Sequence, residues 1–201
     1  KTATATVTVL PLPNAAASAT PPTICVGQSS ALTATGGGTY LWNTGATTAS
    51  ITVSPATTTT YTVTVTGANN CTKTATATVT VLPLPNATAS AAPATICEGQ
   101  SSIITASGGG SYLWSTGATT AAITVSPATT TTYTVTVTGA NNCTKTATAT
   151  VTVLPLPNAA ASATPPTICV GQSSVVTATG GGTYLWNTGA TTASITVSPA
   201  T

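Results

Sequence analysis

The 201-residue chain carries three lysines and a single acid, Glu98, with no histidine, so charged residues make up 2% of it. Ordinary soluble domains have roughly a quarter of their residues charged. Acid–base and nucleophilic catalysis need titratable side chains close to one another. The composition therefore predicts a protein that is not an enzyme and that has no catalytic residues and no cofactor.

The composition also excludes two classes of partner. A net charge of +2 is too small and too scattered for binding of nucleic acid, which needs clustered Lys and Arg. Thr, Ser, Gly or Pro interrupts every apolar run, so no stretch reaches the roughly 18 apolar residues of a membrane-spanning helix. The first residues are unlike a signal peptide, so a secreted protein would be a mature piece or an interior part of a longer one.

The sequence repeats with a period of 72 residues. Lys1, Lys73 and Lys145 begin the same phrase, KTATATVTVLPLPN, and the cysteines and tryptophans keep that spacing. The repeat predicts a chain of small independent domains. We expect residues 1–10 to be the last strand of a preceding domain, 11–82 and 83–154 to be complete repeats, and 155–201 to be a third repeat that is incomplete at its C-terminal end.

Within each repeat the apolar residues recur at every second position, which is typical of strands with one buried face. In chain order, the first repeat has predicted strands at 14–20, 23–26, 30–35, 39–43, 48–54, 59–66 and 72–81. Threonine is β-branched and favours strands about as valine does, while its hydroxyl can face water. No segment has a helical period. The alternation therefore predicts an all-β fold of antiparallel β-sandwiches.

The first repeat resembles a known group of domains. Residues 23–72 read TICVGQSSALTATGGGTYLWNTGATTASITVSPATTTTYTVTVTGANNCT. This phrase resembles the immunoglobulin-like, PKD-like repeats of very large surface proteins in gliding and related gram-negative bacteria. The resemblance implies tandem immunoglobulin-like sandwiches joined head to tail. Many PKD domains have an Asp-rich turn that can hold calcium, but here that turn is NTGA at 43–46, without a carboxylate, so no metal site is expected.

The resemblance also suggests which aromatic residues are buried. Trp42 resembles the buried aromatic of the central strand, and Tyr61 resembles the tyrosine near the start of the penultimate strand. With the same positions in the other repeats, the expected core aromatics are Trp42, Tyr61, Trp114, Tyr133 and Trp186.

The five cysteines are expected to stabilise these small cores. Domains of this size are marginally stable alone, and a disulfide closing a loop of about 46 residues contributes roughly 4 kcal/mol in the chain-entropy model. We predict the pairs Cys25–Cys71 and Cys97–Cys143 within repeats, with the partner of Cys169 beyond the end of the chain. A bond from Cys71 to Cys97 across the joint, or free thiols, are the alternatives. Metal binding is not expected, because two cysteines per repeat are too few ligands.

These features together predict a structural protein outside the cell. The joint VLPLPN is rich in proline and favours an extended backbone. We therefore expect a rigid fibre or adhesin stalk on the bacterial surface, whose partners are neighbouring repeats or copies of the chain itself. Two alternatives are that the Thr-rich faces bind ice or glycans, and that subunits polymerise by donating residues 1–10 as a strand to the third repeat of a neighbour.

Overall fold

The computed structural model describes residues 1–199, and these residues form strands and no helix. Within that part of the chain, no helix is therefore long and apolar enough to span a bilayer. The strands are β1 (Ala16–Thr20), β2 (Thr23–Cys25), β3 (Ser30–Thr35), β4 (Thr39–Trp42), β5 (Ser50–Val53), β6 (Thr59–Thr66), β7 (Thr72–Leu82), β8 (Thr88–Ala92), β9 (Thr95–Cys97), β10 (Ser102–Ser107), β11 (Ser111–Trp114), β12 (Ala122–Val125), β13 (Thr131–Thr138), β14 (Thr144–Leu154), β15 (Ala160–Thr164), β16 (Ser174–Thr179) and β17 (Ser194–Val197).

The all-β prediction is confirmed, and each predicted strand of the first repeat lies within two residues of an observed one at both ends. Strand β5, for example, stops at Val53, two residues before Pro55, which has no N–H to donate to a sheet. The strand bounds follow from local sequence because the alternation and the turn residues both mark them.

Two sheets enclose the core of the first repeat. One has the order β1-β3-β5 and the other the order β2-β7-β6-β4. The chain changes sheets between β1 and β2, and β2 pairs in parallel with the C-terminal end of β7. Apart from the split first strand, and with no fourth strand beside β5 among residues 16–82, this order is that of an immunoglobulin-like sandwich. The buried cluster between the sheets comprises Ile24, Leu32, Ala34, Trp42, Tyr61, Val63, Val65, Ala77 and Val79.

The second repeat has the same sheet orders, β12-β10-β8 and β11-β13-β14-β9. Contacts between Cα atoms divide the chain into two compact units: 1–90, 104–123 and 133–149 form the first, and 91–103, 124–132 and 150–201 the second. The first unit contains all of β1 to β7. The repeat boundaries expected at 82/83 and 154/155 remain predictions.

The ends of the described chain have fewer strands than their sequence patterns predict. Residues 1–15 form no strand, although 1–10 repeat the sequence that forms β7 at 73–82. In the third repeat β15, β16 and β17 form one sheet, while 167–169 and 183–186, the counterparts of β2 and β4, are not strands. In the first repeat β2 pairs with β7, and β4 pairs with β6. Residues 155–199 contain no copy of β6 or β7. Residues 200 and 201 of the predicted third repeat lie outside the described part.

Candidate functional site: the disulfide-linked joint between repeats

One disulfide is present among residues 1–199, and it joins Cys25 of the first repeat to Cys143 of the second. The Cα atoms are 5.7 Å apart, and the cysteines are 118 residues apart in sequence. Cys71, Cys97 and Cys169 are free thiols. The predicted pairs Cys25–Cys71 and Cys97–Cys143 are therefore wrong, and the alternative pair Cys71–Cys97 is not formed.

The long strand β7 explains why the predicted pair within the first repeat does not form. Cys25 lies opposite Leu82, the last residue of β7, whereas Cys71 immediately precedes Thr72, the first residue. The strand has 11 residues, so at about 3.3 Å per residue its ends are roughly 35 Å apart. A disulfide requires Cα atoms within about 7 Å. Cys25 and Cys71 therefore cannot bond without dismantling the sheet.

The second repeat has the same register. Cys97 lies opposite Leu154 at the end of β14, while Cys143 comes directly before the start of that strand. Each repeat thus has one cysteine at the end where the chain enters the repeat and one cysteine at the end where the chain leaves it. At the joint between the first two repeats, the leaving cysteine is Cys25 and the entering cysteine is Cys143.

The linker fixes the position of Cys25. The register of β2 on β7 sets Cys25 beside Leu82, and the next residue, Val26, donates its N–H to the Leu82 carbonyl at 3.0 Å. The side-chain oxygen of Gln28 accepts a hydrogen bond from the Cys25 N–H at 2.9 Å, and the Gln28 N–H donates to the Cys25 carbonyl at 3.0 Å. Cys25 therefore ends the strand in a closed turn whose backbone groups are satisfied.

The linker also fixes the position of Cys143, through the side chain of Asn141. Its amide nitrogen donates to the Pro83 carbonyl at 2.8 Å, and its oxygen accepts from the Cys143 N–H at 3.1 Å. Gly139 donates its N–H to the Cys143 carbonyl at 2.8 Å. Asn142 has φ of 62°, a left-handed conformation that asparagine tolerates better than most residues. The turn Gly139–Cys143 is therefore tied to the linker.

Leu82 and Pro83 are consecutive, so the two cysteine-bearing segments are hydrogen-bonded to neighbouring carbonyls of the same linker. This arrangement brings the two sulfur atoms into bonding distance. The Cys143 residue is 0% exposed, whereas Cys25 is half-buried. The site's chemistry is a covalent cross-link, and among residues 1–199 no three His, Cys, Asp or Glu side chains cluster to hold a metal.

Four of the five aromatic residues singled out from the sequence lie in the sandwich interiors. Trp42 is 1% exposed and Trp114 is 2% exposed, and Tyr61 and Tyr133 are also buried. The Trp42 indole N–H donates to the Thr48 carbonyl at 3.0 Å, which satisfies its one polar group. Trp186 is only half-buried, since 155–199 contain no counterpart of β6.

A second feature is a face of threonines on the outer side of β6 and β7. Four cross-strand pairs lie there in register, Thr60 with Thr78, Thr62 with Thr76, Thr64 with Thr74 and Thr66 with Thr72. The hydroxyls of the first pair hydrogen-bond to each other at 2.9 Å. The face presents rows of hydroxyls and no charged side chain, because Lys73 pairs with Val65 on the opposite face of the sheet.

The comparisons with known proteins reveal likeness in structure only. No family model matches the chain, and neither does any curated protein sequence. Among solved structures, murine CEACAM1b matches with a TM-score of 0.34 and 14% identity, over 71% of this chain and all of that one. An adhesin that helps an Antarctic bacterium bind ice matches with a TM-score of 0.34 and 18% identity, over 92% of this chain and 65% of that one.

A third solved structure, from a 1.5-MDa bacterial ice-binding adhesin, matches with a TM-score of 0.31 and 14% identity, over 92% of this chain and 86% of that one. All three TM-scores are below 0.5, so these likenesses say nothing about function.

Proposed function

We propose that this chain is a repeat region of an extracellular bacterial surface fibre or adhesin stalk, of the PKD-like type found in gliding bacteria. The observation that carries the proposal is the Cys25–Cys143 disulfide, which ties two successive repeats together. Disulfides persist outside the cytoplasm, where no reducing pool removes them. The role of the repeats is then to hold other parts of a longer protein at a distance from the cell.

The geometry of the joint supports stiffness in such a fibre. A peptide linker alone leaves two domains free to rotate, whereas a linker plus a disulfide gives two covalent connections between the same pair. Hydrogen bonds to Leu82 and Pro83 remove further freedom from the linker itself. The joint can therefore transmit bending and twisting from one repeat to the next.

Staining of cells tests the location. Antibodies raised against residues 1–201 should label fibres on intact cells of the organism that makes the chain. Labelling confined to permeabilised cells would contradict the proposal. The same antibodies, absorbed beforehand with the purified chain, are the control for specificity.

NMR relaxation tests the stiffness of the joint. In the oxidised protein the amides of β6 and of β13 should report one common rotational correlation time. The variant Cys25→Ser/Cys143→Ser should give shorter and separate values for the two strands, while the control Cys71→Ser should resemble the unaltered protein. Independent motion in the oxidised protein would mean that the joint is not stiff.

The threonine face supports a second candidate, binding of ice or glycans by the repeats themselves. Its support is the eight in-register hydroxyl groups on β6 and β7. Against it, the natural twist of a sheet opposes a flat, lattice-matched surface, and Thr60 and Thr78 already bond to each other. A thermal hysteresis assay on the whole chain, with Thr64→Val/Thr74→Val for comparison, decides the ice-binding case: activity lost in the variant would support it.

Polymerisation by strand donation is the third candidate. Val7 and Val9 of the N-terminal segment are 88% and 89% exposed, and the sheet β15-β16-β17 has an open groove of about 370 Å³ beside Trp186. A single donated copy of β7 would leave the position of β6 empty, which weakens this candidate. Mixing the chain with a synthetic peptide of residues 1–10 should raise the melting temperature if donation occurs.

A further inference from the structure

We infer that the Cys25–Cys143 bond diverts tension around most of the first two repeats, so that the oxidised chain cannot lengthen by unfolding them. The inference deepens the proposed function, and it rests on that function only for the source of the tension. The bond is a covalent connection between residues that are 118 apart in sequence. The covalent tension from a pull on the two chain ends therefore passes from Cys25 directly to Cys143, and the backbone of residues 26–142 is loaded only through its hydrogen bonds to the strands on that path.

Within the first two repeats, the covalent path that remains is short, and most of it lies in strands. It runs along β1 and β2 to Cys25, crosses the disulfide, and continues along β14 from Thr144 to Leu154. A strand rises about 3.3 Å per residue, and a fully stretched chain reaches at most about 3.6 Å. The strands on this path can therefore lengthen by only about a tenth before their covalent geometry resists.

These strands also resist being pulled out of their sheets. Strand β1 pairs with β3 through five residues in register, and β14 lies between β13 and β9. The hydrogen bonds of an antiparallel pair are perpendicular to the strands. Tension along β1 or β14 therefore loads many of these bonds at once and does not open them one after another.

The disulfide prevents the extension of a length of chain that is large enough to measure. The peptide path between the two cysteines spans 118 residues, which corresponds to roughly 400 Å when stretched. Reduction of the bond releases this length. A dithiol reductant breaks the bond by two thiol–disulfide exchanges, is itself oxidised to its cyclic disulfide, and leaves Cys25 and Cys143 as protonated thiols. The first attack falls on the Cys25 sulfur, because Cys143 is 0% exposed.

Single-molecule pulling tests the inference on the whole chain. Peptide tags at the two ends attach the chain to handles, and the free thiols Cys71, Cys97 and Cys169 are alkylated beforehand to prevent exchange. The oxidised chain should reach a final contour length roughly 400 Å shorter than the same molecule after dithiothreitol is added. An oxidised chain that reaches the full length, or a length that the reductant does not change, overturns the inference.

Two variants complete the test. Cys25→Ser/Cys143→Ser should show the full contour length without reductant, whereas Cys71→Ser should keep the short one. Final contour length depends on covalent connectivity, so a variant that folds poorly still gives a valid reading. The outcome is also independent of the cell-staining experiment: a chain can be inextensible without being on a cell surface, and the reverse.

Discussion

Asn141 donates its side-chain amide to the carbonyl of Pro83 at 2.8 Å, and through this bond the turn that carries Cys143 is attached to the linker. The first repeat contains the same bond from Asn69 to Pro11, also at 2.8 Å, next to the free thiol of Cys71. A comparison of Asn69 with Asn141 therefore distinguishes the effect of this hydrogen bond on the turn from its effect on the disulfide.

Replacing Asn141 should make the disulfide easier to reduce. Asn141→Ala removes the bonds to Pro83 and to the Cys143 N–H, each worth about 1 kcal/mol net. We expect reduction by dithiothreitol, measured by alkylation and mass spectrometry, to become up to roughly thirtyfold faster. Asn69→Ala is the matched control and should leave the rate unchanged. Equal rates in both variants would show that Asn141 does not position the bond.

The three tryptophans have nearly identical sequence contexts. Their replacement by alanine should nevertheless lower the free energy of unfolding by different amounts, and their side chains should differ in exposure to solvent. Trp42→Ala empties a fully buried site and should cost roughly 3–5 kcal/mol of unfolding free energy. Trp186→Ala, at a half-buried site, should cost clearly less. Urea denaturation measures both. Acrylamide should quench the fluorescence of one tryptophan in three, and uniform quenching of all three would contradict the structure.

Cys97 should form the same cross-link as Cys25 when a cysteine is supplied at the next joint. Its surroundings repeat those of Cys25: Glu98 donates its N–H to the Leu154 carbonyl at 2.9 Å, and Gln100 donates its N–H to the Cys97 carbonyl at 3.0 Å. Appending a copy of residues 130–154 after residue 201 completes the third repeat and adds one cysteine. Mass spectrometry should then find that cysteine bonded to Cys97.

The control for this extension is the same appended segment with serine in place of its cysteine, in which Cys97 should remain open to alkylation. If Cys97 still reacts in the cysteine-containing extension, the Cys25–Cys143 bond is a property of one joint and not of the repeat.

The strands were predictable from the sequence because each one encodes its own boundaries. In β6, Tyr61, Val63 and Val65 alternate with threonines, and this local pattern is enough to fix both the strand and its buried face. The buried tryptophans were predictable for the same reason, together with the family resemblance. Local pattern therefore predicted the strand bounds of the first repeat, whereas residues 1–10, 167–169 and 183–186 repeat the sequences of β7, β2 and β4 and form no strand.

The disulfide was not predictable by the same means, because it depends on pairing between distant strands. Strand β2 has three residues, and nothing local indicates that it pairs in parallel with the last residues of β7. Without that register, Cys25 and Cys71 look like partners within one repeat. The useful signal was the length of the strand predicted directly after Cys71, which already places that cysteine far from the exit of the repeat. The hydrogen bonds of the Asn141 side chain to Pro83 and to the Cys143 N–H could not be predicted either, because the local sequence indicates only a turn.

Stability should be nearly independent of pH. It changes with pH only where the folded and unfolded states bind different numbers of protons, and the chain has one acidic side chain, Glu98, and no histidine. With free thiols alkylated, the urea midpoint should stay almost constant from roughly pH 4 to 8. Glu98→Gln is the control and should behave identically. A steep loss of stability in acid would show that an ionic interaction, and not the disulfide and the cores, holds the fold.

The most direct test of the joint is a tryptic map of the unreduced, alkylated protein. Trypsin cleaves after Lys1, Lys73 and Lys145, which gives peptides 2–73, 74–145 and 146–201. The Cys25–Cys143 bond predicts that peptides 2–73 and 74–145 are detected as one disulfide-linked species. After a second digestion with chymotrypsin, the fragments that contain residues 25 and 143 should still be linked to each other. Free 2–73 and 74–145, each with an internal disulfide or with alkylated thiols, would contradict the account.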